Sequence, residues 1–249
     1  MATTTKSSSP VEHEGHGHDP LLHHQFEDMH QQTESYLVGM WSFLVTEIMF
    51  FGAVFVAYAV YRSRFGAAFS LGTHLLDIKS GGINTLILMA SSFTMTLAVV
   101  AARQGKRQQI VNLLLVTLAL GAVFLGIKSQ EYKAKFEHHL VPGDHFDLAH
   151  ALQAHTGEGA ASAQIVELAK HADPRQVQMF FSFYFTMTGL HLIHMLIGMG
   201  VLLFILRMAQ KGRFGPEYHN PLEVTSLYWH FVDMVWIFLF PMLYLLGRH

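Results

Sequence analysis

Five ionisable side chains lie within long apolar stretches of the sequence: Glu47, His191, His194, His230 and Asp233. Such residues are unfavourable inside a membrane unless they have a partner or a function. The last four form two pairs with a spacing of three residues, so each pair lies on one face of a helix. Counted at 1.5 Å per residue from one membrane end, Glu47, His194, His230 and Asp233 lie about 16, 18, 12 and 17 Å deep. We therefore predict a hydrogen-bonded cluster of these five side chains, linked to proton exchange or to a lipid headgroup.

Three other interpretations of the same residues stay open. Polar groups in a bundle often serve only to hold helices together through interhelical hydrogen bonds. Two histidines on one turn and a third on a neighbouring helix could also bind a metal ion. A membrane haem of the cytochrome b kind needs axial imidazoles on opposed helices, and only three histidines lie within the apolar stretches. We expect no catalytic residue, metal or haem in this chain.

The apolar stretches that carry these residues have the length of membrane spans. A bilayer core of about 30 Å requires roughly 20 apolar residues in a helix. In hydrocarbon the backbone must satisfy its own hydrogen bonds, and runs of this length without strict alternation favour helices over barrel strands. The sequence therefore predicts an all-α integral membrane bundle of five transmembrane helices, approximately Tyr36 to Tyr61, Ile83 to Ala102, Ile110 to Ile127, Met179 to Leu206 and Leu222 to Leu246.

Composition agrees with a membrane protein and excludes several other classes. Of the residues, 51% are hydrophobic and only 14% are charged, which is too few charges to cover a soluble globule of this length. The net charge of -2 offers no basic field for nucleic acid. The absence of cysteine excludes disulfides, thiolate metal sites and covalent haem attachment through a CxxCH motif.

Outside the spans, the sequence divides into a tail, short turns and one long connection. Residues 1–35 form a His-rich polar tail, and 36–249 form the five-helix domain with a long extramembrane loop at about 128–178. Within that loop we expect an amphipathic helix around Ala160 to His171. Gly105 lies in a short turn between the second and third spans, which must then be antiparallel neighbours. Compact clusters of Lys and Arg in two short loops favour a cytoplasmic N-terminus.

Ordered motifs in all five spans resemble one protein family. The fifth span reads YWHFVDMVW at 228–236, the fourth TGLHLIH at 188–194 and the first GMWSFLVTEIMFF at 39–51. The second contains NTLILMASS at 84–92, and KSQEY follows the third at 128–132. These strings are similar to the signatures of subunit III of bacterial haem-copper oxidases of the cytochrome c oxidase type, in their five-helix form. Thr46 stands where that family usually has serine before the membrane glutamate.

The resemblance implies an accessory subunit without a redox centre. Such a subunit binds beside catalytic subunit I and copper- and donor-binding subunit II, which carry haem and copper, in the bacterial cytoplasmic (inner) membrane. It binds phospholipid and supports stability and proton uptake during aerobic respiration, in which the complex reduces O2 to water and translocates protons. Glu47 matches the family's membrane-embedded glutamate. Membership of a larger respiratory supercomplex stays open.

Two alternative functions remain at this point. Subunit III of a quinol oxidase, or an accessory protein of a nitric oxide reductase, shares the same scaffold, and this chain alone does not specify the electron donor. A stand-alone proton transporter would also place Glu47 and Asp233 within the bilayer. Transporters usually contain internal repeats or broken helices, and none is evident in the sequence.

Overall fold

The computed structural model describes residues 29–143, 146–155, 160–215 and 218–248. In this part of the chain, five helices are long and apolar enough to cross a membrane, which confirms the predicted all-α bundle. In chain order the helices are α1 (Met29–Arg64), α2 (Gly66–His74), α3 (Ile78–Arg103), α4 (Arg107–Glu137), α5 (Leu148–His155), α6 (Ala160–His171), α7 (Pro174–Gln210) and α8 (Asn220–Phe240). A π-helical turn, Pro241–Leu245, continues α8.

Four of the long helices form a closed ring around the core. Helix α3 packs against α4, α4 against α7, α7 against α8, and α8 back against α3. The turn between α3 and α4 is as short as predicted, and Gly105 in it has φ 68°, a conformation that glycine adopts without steric penalty. At the centre of the ring, Trp229 is fully buried and faces Gly121 and Gly198, where a side chain would meet its indole ring.

Helix α1 lies outside the ring and contacts α8, α7 and α2. Its buried apolar side chains are Leu44, Phe51 and Tyr58, which are seven residues apart. This spacing places one narrow seam of a helix against its neighbours. Most other large side chains of α1, including Val45 and Met49, are exposed. Helix α1 therefore presents most of its apolar surface outward, to lipid or to another membrane chain.

The connection between α4 and α7 contains more helix than the sequence analysis anticipated. Helix α4 continues to Glu137 instead of ending near Ile127, and α7 begins at Pro174. The helix expected around Ala160 to His171 is present with those bounds. It packs on α2, a short helix that the sequence analysis did not predict. Of the predicted polar tail, residues 1–28 lie outside the described residues and 29–35 form the first turns of α1.

Proline at 241 changes the geometry of the last helix. A proline within a helix lacks the backbone N–H that the preceding turn would bind. Here the chain widens into the π-helical turn, in which the Leu246 N–H donates to the Pro241 carbonyl at 3.0 Å. The Met242 carbonyl accepts a hydrogen bond of 2.9 Å from the Tyr58 hydroxyl on α1. The turn also buries Tyr244 completely, next to polar residues of α4 and α7.

Candidate functional site

Glu47 of α1 and His194 of α7 form a direct pair. The distance between Glu47 Oε2 and His194 Nε2 is 3.0 Å, and the two side chains are 19% and 14% exposed. His194 Nδ1 lies 2.8 Å from the Leu190 carbonyl, which can only accept, so Nδ1 carries a proton. The bond between Nε2 and Oε2 therefore holds one further proton, which belongs either to the carboxyl group or to the imidazole. In both cases the pair as a whole is uncharged.

Two aromatic side chains, Phe51 and Tyr228, lie beside this pair. The Phe51 ring meets the His194 ring edge to face, with centroids 5.2 Å apart. The Tyr228 hydroxyl of α8 donates to the His194 carbonyl at 3.0 Å. The pair thus joins α1, α7 and α8 through polar bonds within an apolar environment. In low dielectric such bonds are stronger than in water, and an unpaired member would be correspondingly unfavourable.

His230 of α8 bonds to α3 and not to Glu47. Its Nδ1 lies 2.5 Å from the Ser92 hydroxyl and its Nε2 lies 3.3 Å from the Thr96 hydroxyl. Asp233, one turn further along α8, is only 3% exposed. Neither oxygen of its carboxyl forms a hydrogen bond within the described part of the chain.

His191 is completely buried between two aromatic rings. The Phe124 and Trp236 ring centroids are 5.6 and 5.3 Å from its own. Neither ring nitrogen has a hydrogen-bond partner among the described residues. An imidazole enclosed in this way packs as an aromatic side chain between α4 and α8.

The five predicted residues thus belong to three separate groups. Glu47 and His194 form one group, His230 bonds to Ser92 with Asp233 one turn further along α8, and His191 lies apart between two aromatic rings. Over residues 29–143, 146–155, 160–215 and 218–248, no three His, Asp or Glu side chains are arranged to hold a metal ion.

A second buried polar group was missed by the sequence analysis. Lys128 is completely buried, and its Nζ donates to Glu131 Oε2 at 2.9 Å and to the Tyr244 hydroxyl at 2.6 Å. Glu131 Oε1 accepts from the hydroxyls of Tyr184 and Tyr244 at 2.8 and 2.5 Å. The KSQEY motif carried the signal, because its Lys and Glu are three residues apart directly after an apolar run. The loop predicted at about 128–178 places Lys128 outside the spans instead.

A cavity of about 470 Å³ opens beside this group at the end of α4. Its lining includes Asp77, Ser80, Glu131, Lys135 and His138. Asp77 caps α3 and accepts from the Ser80 hydroxyl and from the backbone N–H of Lys79. Partial burial raises the pKa of Asp77, but these hydrogen bonds outweigh it and hold the pKa below its ordinary value.

At the opposite end of the bundle, an apolar groove runs between α1, α7 and α8. Its volume is about 530 Å³, and its lining is largely aromatic and aliphatic, with Tyr36, Met40, Phe43, Phe204 and Tyr218 among its residues. Apolar grooves with a few polar groups at one end suit amphiphilic ligands.

Comparison with known proteins identifies the family. The sequence model of "Cytochrome c oxidase subunit III" matches residues 21–154 and 160–248. The chain belongs to the cytochrome c oxidase subunit III family. It is therefore a multi-pass membrane protein of the accessory-subunit class found in haem-copper oxidase complexes, as the motifs implied.

Relatives within this family carry names of both oxidase types. The chain is 31% identical to quinol oxidase subunit 3 of Bacillus subtilis, over 85% of this chain and 87% of that protein. It is 30% identical to cytochrome c oxidase subunit 3 of a Synechocystis species, over 94% of this chain and 80% of that protein. It is 29% identical to cytochrome bo(3) ubiquinol oxidase subunit 3 of Pseudomonas aeruginosa, over 99% of this chain and 98% of that protein. Sequence identity to these relatives therefore does not show whether the electron donor of the oxidase is cytochrome c or a quinol.

Proposed function

We propose that this subunit III supports proton uptake and durable turnover in a respiratory cytochrome c oxidase of a bacterial cytoplasmic membrane. In this proposal, subunits I and II beside it carry haem and copper, and no step of the redox chemistry occurs in this chain. The observation that carries the proposal is the hydrogen bond of 3.0 Å between Glu47 and His194.

Bound phospholipid is the second part of the proposed role. The groove between α1, α7 and α8 supports it, because an acyl chain can lie along its aliphatic and aromatic lining. Cationic side chains follow at the end of α7 and in the loop after it, namely Arg207, Lys211 and Arg213. Cations at the membrane boundary attract anionic headgroups.

The N-terminus is proposed to lie on the cytoplasmic side. The described residues contain five candidate spans, an odd number, so the C-terminus would then lie outside. The sequence contains no cysteine, so single cysteines introduced at Gln104 and at Ser129 would report the two sides without background. Labelling of the Gln104→Cys variant by an impermeant reagent in intact cells would contradict this orientation.

A quinol oxidase is the second candidate, because relatives of that name are as similar as those named for cytochrome c. Purification of the intact complex separates the two. A cytochrome c oxidase should contain a subunit II with a copper centre and should oxidise reduced cytochrome c. Oxidation of ubiquinol by a complex without that copper centre would assign the chain to the quinol class. Isolation without any haem-copper subunit would overturn the proposal altogether.

The Glu47→Ala variant tests the proposed role of the pair. We expect the complex to assemble, because α1 retains its seam of Leu44, Phe51 and Tyr58. We expect proton uptake to weaken and inactivation during turnover to accelerate, because His194 Nε2 loses its partner. Glu137→Ala is the control, since that side chain is 64% exposed. Unchanged proton pumping and an unchanged inactivation rate would reduce Glu47 to a structural hydrogen-bonding residue.

A further inference from the structure

Helix α1 carries a second polar contact on the face that contains Glu47. Tyr58 follows Glu47 by eleven residues, which is about 16 Å along the helix and three turns plus about 20° around it. The two side chains therefore lie on the same face of α1. Tyr58 is 1% exposed, and its hydroxyl donates to the Met242 carbonyl at 2.9 Å. One helix face is thus joined to α7 through Glu47 and to the π-helical turn through Tyr58.

The π-helical turn provides the acceptor for Tyr58. In a regular helix, the Leu246 N–H would donate to the Met242 carbonyl, four residues before it. In the π-helical turn it donates instead to the Pro241 carbonyl, five residues before it, at 3.0 Å. The Met242 carbonyl is therefore released from that bond, and a backbone carbonyl away from water requires another donor. The Tyr58 hydroxyl supplies it, so the contact follows from the change of helix geometry at Pro241.

Side-chain packing restrains the rotation of α1 only weakly over the half of the helix that precedes Glu47. Grooves of about 390 and 530 Å³ open on its two sides there, the first beside Leu37 and Trp41 and the second beside Met40 and Phe43. A helix enclosed by neighbours is held by many side-chain contacts, and many of these are missing beside a groove. The rotation of α1 about its axis therefore depends on its narrow buried seam and on its polar bonds.

We propose that Tyr58 is a positioning residue, which sets the rotation of α1 and so holds Glu47 within bonding distance of His194. Side chains reach about 5–6 Å from a helix axis, so a rotation of about 20° moves a carboxyl group by about 2 Å. Movement perpendicular to the 3.0 Å bond would separate its two atoms by about 3.6 Å, which is no longer a hydrogen bond. A small rotation of α1 is therefore enough to break the pair.

The Tyr58 ring is held rigidly by other aromatic rings. Its centroid lies 5.4, 6.4 and 6.0 Å from those of Phe69, Phe180 and Phe183. Arg62, one turn further along α1, also donates to a carbonyl of the last turn, that of Leu246. The long Arg62 side chain can follow a rotation of α1 because it has several rotatable bonds, whereas the enclosed ring of Tyr58 cannot. The importance of this positioning for proton uptake rests on the function proposed for Glu47 and His194.

Infrared spectroscopy of the purified complex, with isotopically labelled glutamate, tests the positioning. The Glu47 signal is the labelled band that Glu47→Ala removes. Tyr58→Phe retains the ring and deletes only the hydroxyl, so the complex should assemble and the Glu47 band should shift as the bond to His194 is lost. Tyr132→Phe is the matched control, because it deletes a hydroxyl that bonds to Thr188 at 2.6 Å, between α4 and α7. It should leave the Glu47 band unchanged.

A double variant separates positioning from an independent structural role of Tyr58. Tyr58→Phe should accelerate inactivation during turnover, but it should add nothing further in the Glu47→Ala background. Substitutions at residues about 16 Å apart usually have additive effects, so additive effects here would overturn the positioning.

The infrared measurement can also overturn it. A Glu47 band that stays in place in Tyr58→Phe, or that shifts equally in Tyr132→Phe, would do so. If Glu47→Ala itself left proton uptake and inactivation unchanged, the function proposed for the pair would fail, and the Glu47 band of Tyr58→Phe would still decide whether Tyr58 positions Glu47.

Discussion

Replacement of Lys128 by methionine is expected to destabilise the folded chain by about 3–5 kcal/mol, the usual effect of removing one partner from a buried ion pair. Lys128 is completely buried, and Glu131 beside it is 8% exposed. Methionine matches the length of the lysine stem and contacts the same aromatic side chains. The loss should therefore come from the polar bonds and not from a cavity.

The hydrogen bonds of Lys128 give a similar magnitude. Its Nζ donates one bond to Glu131 and one to the Tyr244 hydroxyl. A hydrogen bond that involves a charged group contributes about 1.5–3 kcal/mol, so two such bonds account for roughly 3–6 kcal/mol. In the variant, Glu131 keeps the bonds from Tyr184 and Tyr244 but remains a buried acid without a cation.

Equilibrium unfolding in mixed detergent micelles measures this difference, with circular dichroism as the probe of helix content. The double variant Lys128→Met/Glu131→Leu should be more stable than Lys128→Met, because it leaves no unpaired buried charge. The control is Lys133→Met on the same helix. Its ion pair with Glu137 spans 4.0 Å between largely exposed side chains, and its loss should change stability by less than about 1 kcal/mol.

Two outcomes would refute this reasoning. In the first, Lys128→Met is no less stable than Lys133→Met, which would mean that water or lipid headgroups already solvate the buried ammonium group. In the second, the double variant loses the sum of both single effects, which would mean that the two side chains do not interact.

Two further predictions concern the short helix α2 and the turn after it. Gly72→Ala should destabilise the chain by about 1–3 kcal/mol, because the new methyl group would lie 2.2 Å from the buried Phe180 ring; thermal unfolding measures the loss. The depressed pKa of Asp77 should make the chain less stable in acid. This stabilisation is complete above the ordinary aspartate pKa of 3.8 and is lost as the pH falls through the lower folded value, which unfolding measured between about pH 5 and pH 2 would detect.

Each of these predictions has a control on the same segment. Gly66→Ala adds a methyl group to α2 where no atom lies within 4 Å, and it should not destabilise the chain. Equal losses at both glycines would point to a general effect on α2 rather than to Phe180. Asp77→Asn retains a capping side chain without a titratable group. An unchanged acid dependence in Asp77→Asn would assign that dependence to another group.

The sequence by itself determined the number of spans, their order and the family. Hydrocarbon requires long helical apolar runs, and these are visible without any tertiary information. It also determined the approximate depth of each ionisable residue, because the rise per residue of a helix is fixed. For this reason Glu47 and His194 could be expected at one level, and a bond of 3.0 Å joins them in the fold.

Only the tertiary structure decided which side chains meet across the bundle. Helical periodicity gives the face of a residue but not the neighbour that this face contacts, and the contacts of Glu47 and His230 join residues 147 and 138 positions apart. In the packed bundle His230 contacts Ser92 of α3 and not Glu47. Lys128 lies in the core, where the π-helical turn that begins at Pro241 places the Tyr244 hydroxyl 2.6 Å from its ammonium group. Ser92 is far from His230 in the sequence, and Tyr244 is far from Lys128, so no local pattern could have specified these two contacts.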